Sequence, residues 1–262
     1  MDNENKIPDE FKYSPDSETA KKFDNFWYYH KWKVIAAIFI VAVIAVCVYS
    51  CIQKPKTDIT VLYAGPFGSY NESVPKINGE LTSVMPDSLG DDGAVMNVLE
   101  IYSAEQIQAI AEKEVADYLE ETKEQLSDEE INTLITRQKN SLSKLTTTNN
   151  KSLSSYLQVG NYSIYLLDPS IYEQYKSIGV FAKLSDIFGD NIPESAFSDD
   201  AIKLSETEFY KKSAGGISAL PEDTILCIRI APVFSSGCGG KKAAKAEYEE
   251  AIEMFKAIVN YK

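Results

Sequence analysis

The sequence predicts an α/β domain behind a single membrane-spanning helix. Three observations lead there. Val34–Ile52 is an apolar run of 19 residues without a charge. After it, β-branched and aromatic runs alternate with segments of three-and-four apolar spacing. Those segments carry helix start and stop signals at their ends. The expected class is therefore an N-terminal single transmembrane helix followed by a mixed, largely parallel sheet flanked by helices.

The apolar run comes first. As a helix, 19 residues cover about 28 Å, close to the hydrocarbon thickness of a bilayer. A signal-peptide core is shorter and sits behind a short basic leader, whereas 33 residues precede this run. A lipoprotein leader ending at Cys51 calls for small residues before the cysteine, and Tyr49 is bulky. A permanent anchor is the expectation, with Val34–Ile52 in the lipid bilayer.

Its flank, "NFWYYHKWK" (25–33), places Trp27, Tyr28, Tyr29 and Trp32 beside Lys31 and Lys33. Trp and Tyr favour the head-group level, so these six residues form the expected membrane-interface belt. Lys21, Lys22, Lys31 and Lys33 precede the run and only Lys54 and Lys56 follow closely. The positive-inside rule then puts the N-terminus in the cytoplasm and the C-terminal domain outside the cell membrane. The domain plan is a disordered tail with its juxtamembrane segment (1–33), the helix (34–52), a short tether (53–57) and an extracytoplasmic α/β domain (58–262).

Within that domain "DITVLYAG" (58–65) reads as a buried strand and 71–85 as a helix with Pro75 in its first turn. "AVMNVLEIYSA" (94–104) is a second strand, and Ser103 opens a long amphipathic helix. "SDEE" (127–130) is a capping box, starting a helix to about Lys144 that "TTTNN" is expected to break. A third helix (150–158) stops at Gly160, and "NYSIYLLD" (161–168) is a strand. Pro169 and Gly179 bracket the next helix. A turn-rich connector (181–193), an edge strand (201–212), a strand "DTILCIRIAPV" (223–233), a loop "SSGCGG" and a helix over 241–261 complete the chain.

Composition excludes several functions. Net charge is −13, and residues 53–262 carry 20 Lys+Arg against 32 Asp+Glu. Nucleic-acid binders need the opposite sign, so no nucleic acid is expected. The sole histidine, His30, precedes the anchor. No Ser-His-Asp triad, Cys-His pair or His-ligated metal site fits the outer domain. Cys227 and Cys238 either pair or remain one buried and one loop cysteine; Cys47 and Cys51 lie in the apolar run.

Motifs that suggest chemistry have plainer explanations. Ser73–Lys76 and Ser141–Lys144 match S-x-x-K, but the companion motifs of that enzyme class are absent. "GCGGKK" (237–242) lacks the first Gly and the final Ser/Thr of a phosphate loop. "SLGDDG" (88–93) lacks the spacing of a calcium loop and reads as a solvated turn. No metal and no cofactor are expected, and a hydrolase is the enzymatic alternative to a non-enzymatic module.

One stretch carries a resemblance. In "LSSYLQVGNYSIYLLDPSIYEQYKSIGVFAKLSDIFG" (153–189), Gly160 ends a helix and Asn161, Ser163 and Ile164 open a strand. Tyr172, Tyr175 and Gly179 follow on a helix, then Leu184, Asp186 and Ile187 at a turn. This pattern resembles extracytoplasmic solute-binding proteins of the periplasmic type II fold. The anchor, "DITVLYAG" and "PEDTILCIRIAP" also resemble small membrane-anchored proteins of clostridia-like Gram-positive bacteria. The resemblance implies a single periplasmic-binding-protein-like lobe, because 190–220 is too short to hold a second one.

Ligands in open α/β sheets sit beyond the carboxyl ends of strands. That rule selects Gly65, Phe67, Tyr102, Ser103 and Asp168 as candidate ligand-binding residues. The functional expectation is a membrane-anchored, extracytoplasmic, non-enzymatic binding module with a small-molecule ligand. The alternative is a scaffold or accessory subunit that packs on a membrane-protein partner and takes no small molecule.

Overall fold

A computed structural model describes residues 18–52, 59–67, 72–89, 93–231 and 240–262. The chain divides into two compact units, Met1–Pro55 and Lys56–Lys262. The described residues of the first form one helix, α1 (Glu18–Ile52). It begins well before the expected anchor, so the belt and the segment from Glu18 are helical and continuous with it. Its 35 residues span about 52 Å, more than a bilayer core requires. By length and composition Phe26–Val46 is apolar enough to cross a membrane, and none of it is buried.

The second unit is an α/β domain around a six-stranded sheet of order β2-β1-β3-β6-β5-β4. The strands are β1 (Ile59–Gly65), β2 (Ala94–Glu100), β3 (Ile164–Leu167), β4 (Ala196–Ser198), β5 (Ala201–Lys203) and β6 (Ile225–Ile228). The helices are α2 (Val74–Val84), α3 (Ala104–Thr122), α4 (Asp128–Val159), α5 (Pro169–Lys176), α6 (Leu184–Phe188), α7 (Glu208–Lys211) and α8 (Gly240–Val259). Strand side chains alternate between two cores, as a period of two requires. Val61, Tyr63, Ile164, Leu166, Leu226 and Ile228 face a core closed by α2 and α8. Leu62, Ala64, Tyr165, Leu167, Ile225 and Cys227 face a second, under the end of α4 and α5.

The sheet is mixed, but it is not largely parallel. β1 pairs in parallel with β2 and β3, whereas β3–β6, β6–β5 and β5–β4 are antiparallel. Long helical crossovers join the first three strands, and the tight turn at Asp199–Asp200 joins β4 to β5; a turn that short permits only antiparallel pairing. The segment 201–212 is also not an edge strand. Three of its residues form β5 inside the sheet, and the rest turn into a 3-10 turn and α7. The edge is β4, three residues long, which leaves little open backbone. At the other edge α2 covers β2: Met96 N donates to Asn78 Oδ1 (2.8 Å) and Ala94 N to Thr82 Oγ1 (3.0 Å).

"TTTNN" does not break a helix, and α4 runs unbroken for 32 residues. Its polar side chains bond to the helix rather than compete with it: Thr147 Oγ1 donates to Ser143 O and Thr148 Oγ1 to Lys144 O. Others tie it to the end of β2. Asn149 Nδ2 donates to Glu100 O (2.8 Å) and Thr146 Oγ1 accepts from Tyr102 N (3.3 Å). Both capping boxes form, Ser103 with Gln106 and Ser127 with Glu130. The Ser127 amide and hydroxyl hold the Glu130 carboxyl below its usual range. Gly160 ends α4 at φ +87°, a conformation only glycine adopts without strain.

Two polar clamps join distant segments. Arg229, buried, donates from Nε to Leu157 O (2.7 Å) and from Nη2 to Gln158 O (3.1 Å). It thus satisfies carbonyls in the last turn of α4, where a cation also complements the helix dipole. Glu80 on α2 accepts from Ser213 Oγ (2.7 Å), Ala214 N (3.1 Å), Gly216 N (3.2 Å) and Ile217 N (2.7 Å). A Cβ on Gly216 would lie 2.3 Å from the Glu80 carboxyl carbon, so the clamp needs glycine there. Cys227 is a buried free thiol, and Cys238 lies outside the described residues.

Replacing Arg229 by Met should lower unfolding free energy by about 3 kcal/mol, because buried carbonyls lose a charged donor. Denaturant titration with unchanged m-value is the check. Glu80→Ala should cost about 1–2 kcal/mol by the same argument, with Glu80→Gln in between; equal melting temperatures for wild type and Glu80→Ala would contradict it.

Candidate functional site

The connection from β1 leads outward to β2, and the chain then returns across β1 to form β3. The carboxyl ends of β1 and β3 therefore mark a topological switch point, where open α/β sheets hold ligands. The structure brings four of the five candidates to this end of the sheet. Ile101 N donates to Gly65 O (3.0 Å) and Asp168 N to Ala64 O (2.9 Å). These bonds place Tyr102–Ser103 and Asp168 on either side of Gly65. A Cβ on Gly65 would meet Asp168 Cβ at 3.2 Å and Tyr63 Oη at 2.8 Å. Only glycine allows this approach.

The polar atoms at this point are already engaged within the chain. Asp168 Oδ1 accepts from Ser170 N (2.8 Å) and from Ser170 Oγ, capping α5 ahead of Pro169. Ser103 Oγ accepts from Gln106 N (3.2 Å) and caps α3. The fifth candidate, Phe67, is fully buried with its ring 5.4 Å from that of Tyr63. Tyr102 is buried with Ile107, Ala111 and Leu142 at the foot of α3 and α4. The arrangement can terminate helices and close a core. Residues 68–71, which follow Phe67, lie outside the described residues.

A second polar group lies on the α5 face, and nothing in the sequence spacing pointed to it. Tyr172 Oη donates to Asp200 Oδ1 (2.6 Å) and lies 2.6 Å from Ser198 Oγ, which donates to the same carboxylate oxygen (2.8 Å). Burial first, then the Asp200 bond, pushes the Tyr172 phenol above its usual range. Burial, then Asp200, also pushes the Cys227 thiol up. A thiol held protonated is a poor nucleophile, so the cluster works as a hydrogen-bond tie rather than a reactive pair. Ser141 and Lys144 lie exposed within unbroken α4. Among the described residues no three His, Cys, Asp or Glu side chains converge as a metal group would require.

Open grooves lie along α3 and α4. One is lined by Glu129, Asn132, Thr136 and Arg137, another by Tyr118, Glu124, Leu126 and Leu134. Both helices leave the sheet beyond the carboxyl end of β2, and their outer halves form an arm. Charge on this arm is segregated. Residues 104–130 contain ten Asp/Glu and two Lys, whereas 131–167 contain Arg137, Lys139, Lys144 and Lys151 and no acid. Among the described residues no ion pair joins the two helices.

On α1, Trp27, Tyr28, Tyr29, Trp32 and Lys33 are exposed and Lys31 is half-buried. Lys31 Nζ lies 6.0 Å from the Tyr28 ring centroid, a weak cation–π contact.

If Asp168 and Ser103 are caps, alanine at either should destabilise the fold by about 1 kcal/mol each, additively. Calorimetry of the two single variants and the double variant is the check.

Compared with known proteins, the chain matches no family model, no curated protein and no solved structure.

Proposed function

We propose that this chain is a membrane-anchored, non-enzymatic docking module: a scaffold or accessory subunit whose outer domain offers its helical arm to a protein partner. α1 serves as the anchor, with Trp27, Tyr28, Tyr29, Lys31, Trp32 and Lys33 at the cytoplasmic interface and the α/β domain outside the cell. The observation that carries the reading is the contrast between two surfaces. At the switch point, Asp168 and Ser103 are spent on helix caps. On the arm, α3 carries six acidic residues and one Lys, α4 carries Asp128, Glu129 and Glu130 ahead of Arg137, Lys139, Lys144 and Lys151, and no ion pair joins the two among the described residues. Charges left unpaired at a surface steer and register a protein partner.

The rival reading, a single solute-binding lobe using Gly65, Phe67, Tyr102, Ser103 and Asp168, rests on the motif at 153–189 and on the switch-point rule. The two separate in one experiment on the full chain in mild detergent. The docking reading expects a stoichiometric protein partner that is lost when Glu120, Glu121 and Glu124 on the arm are changed to Gln. It also expects no thermal shift from sugars, amino acids or short peptides. A reproducible ligand-dependent thermal shift, with partner capture indifferent to the arm, would decide for the rival.

A further inference from the structure

Three chain segments meet at the end of the sheet opposite the arm. Arg229 bonds the α4 terminus through Leu157 O and Gln158 O, Arg229 N donates to Ser163 O (2.8 Å), and Ile230 N donates to Val180 O (2.9 Å). These bonds gather Val159, Ile178, Val180 and Ile230. Val159 is 66% exposed, Ile178 63% and Ile230 44%. A lone exposed aliphatic residue is ordinary, but a group of them on one surface marks a contact.

The charge of this surface is also unlike the rest of the molecule. Residues 158–163, 177–183 and 229–231 contain no Asp or Glu, in a chain that has 39. Lys183, three residues past Val180, is exposed. Asp199, in the β4–β5 turn, borders the patch through Leu184 N (2.8 Å).

Chain connectivity says what lies nearby. β1 starts at this same end, since Val61 pairs with Ile164 and Ile164 with Ile228. Six residues, 53–58, link Ile59 to the last residue of α1. Fully extended, the seven steps from Ile52 to Ile59 reach at most about 25 Å. The arm leaves from the other end of the strands.

We infer that Val159, Ile178, Val180 and Ile230, with Lys183, form a lipid-contact surface that rests on the anionic head-group layer of the membrane. Aliphatic side chains enter the head-group boundary while Lys183 meets anionic lipid, the two contributions that hold peripheral surfaces on bilayers. The patch is small, so the contact is reversible and depends on α1 to keep the domain close. The inference rests on the anchor part of the proposed function and is independent of what the arm binds.

The test uses indole fluorescence, because the chain has two tryptophans and both lie in α1. In the full chain carrying Trp27→Phe and Trp32→Phe, Val159→Trp and Ile230→Trp each place a single indole in the patch, and Tyr118→Trp places one on the arm. Each variant is reconstituted in phosphatidylglycerol/phosphatidylcholine vesicles with or without brominated acyl chains. The indoles at 159 and 230 should emit at shorter wavelength than the one at 118 and be quenched by brominated lipid, with quenching reduced in vesicles of phosphatidylcholine alone. Vesicle flotation is scored in parallel. Protein that floats with an unquenched indole at both patch positions overturns the lipid contact and leaves the anchor standing. A blue shift without bromine quenching assigns the patch to a protein and also overturns it. Protein that does not float removes the anchor and the lipid contact together.

Discussion

The Arg229 guanidinium joins the two halves of the outer domain. It sits one residue past β6, a strand at the middle of the sheet, and bonds to the last turn of α4. α4 is the longest element of that domain, and its position fixes the arm at one end and the Val159 surface at the other. Without a donor there, buried carbonyls at a helix terminus would remain unsatisfied, a cost comparable to a good part of a domain's net stability. The placement of both surfaces therefore follows from one buried cation that has backbone carbonyls, and no carboxylate, as its described hydrogen-bond partners.

Polar side chains in this domain divide into those used for structure and those left for solvent or a partner. Asp168, Ser103, Glu80 and Asp200 each satisfy donors that folding would otherwise strand. The carboxylates of α3 and the cations of α4 face outward without mutual ion pairs among the described residues. An isolated helical hairpin would gain a little by pairing them. Their separation is a mild cost to the monomer, and a charged partner surface would recover it.

What could be read from the sequence was local. Ser103 and Ser127 announced helices through bonds that close within three residues, and Gly160 and Pro169 marked a stop and a start. Strands were legible where β-branched runs were long, as at 58–65 and 223–233. The failures were tertiary. "TTTNN" has poor helix propensity, yet bonds to Glu100 and Tyr102, some fifty residues away, hold it in α4. The antiparallel half of the sheet was hidden because β4 and β5 are three residues each, too short for a period to show. The clamps at Arg229 and Glu80 span 72 and 137 residues, distances at which no local pattern informs. Gly65 and Asp168 meet at the strand ends that the switch-point rule selects. That rule carried no information on whether their polar atoms would be free.

The strand order also sets a timetable. β6 lies between β3 and β5, so neither β5 nor β4 can join the sheet until residue 228 is available. At the usual pace of synthesis, ~5–20 residues per second, about ten seconds or more separate the completion of β1 from that of β6. Through that interval the parallel half has an unpaired edge at β3, and the α4 terminus has yet to meet its arginine. A chain carried across a membrane as it is made would thus stay open and threadable until nearly its last residues had passed. The sheet would then close late and from its centre.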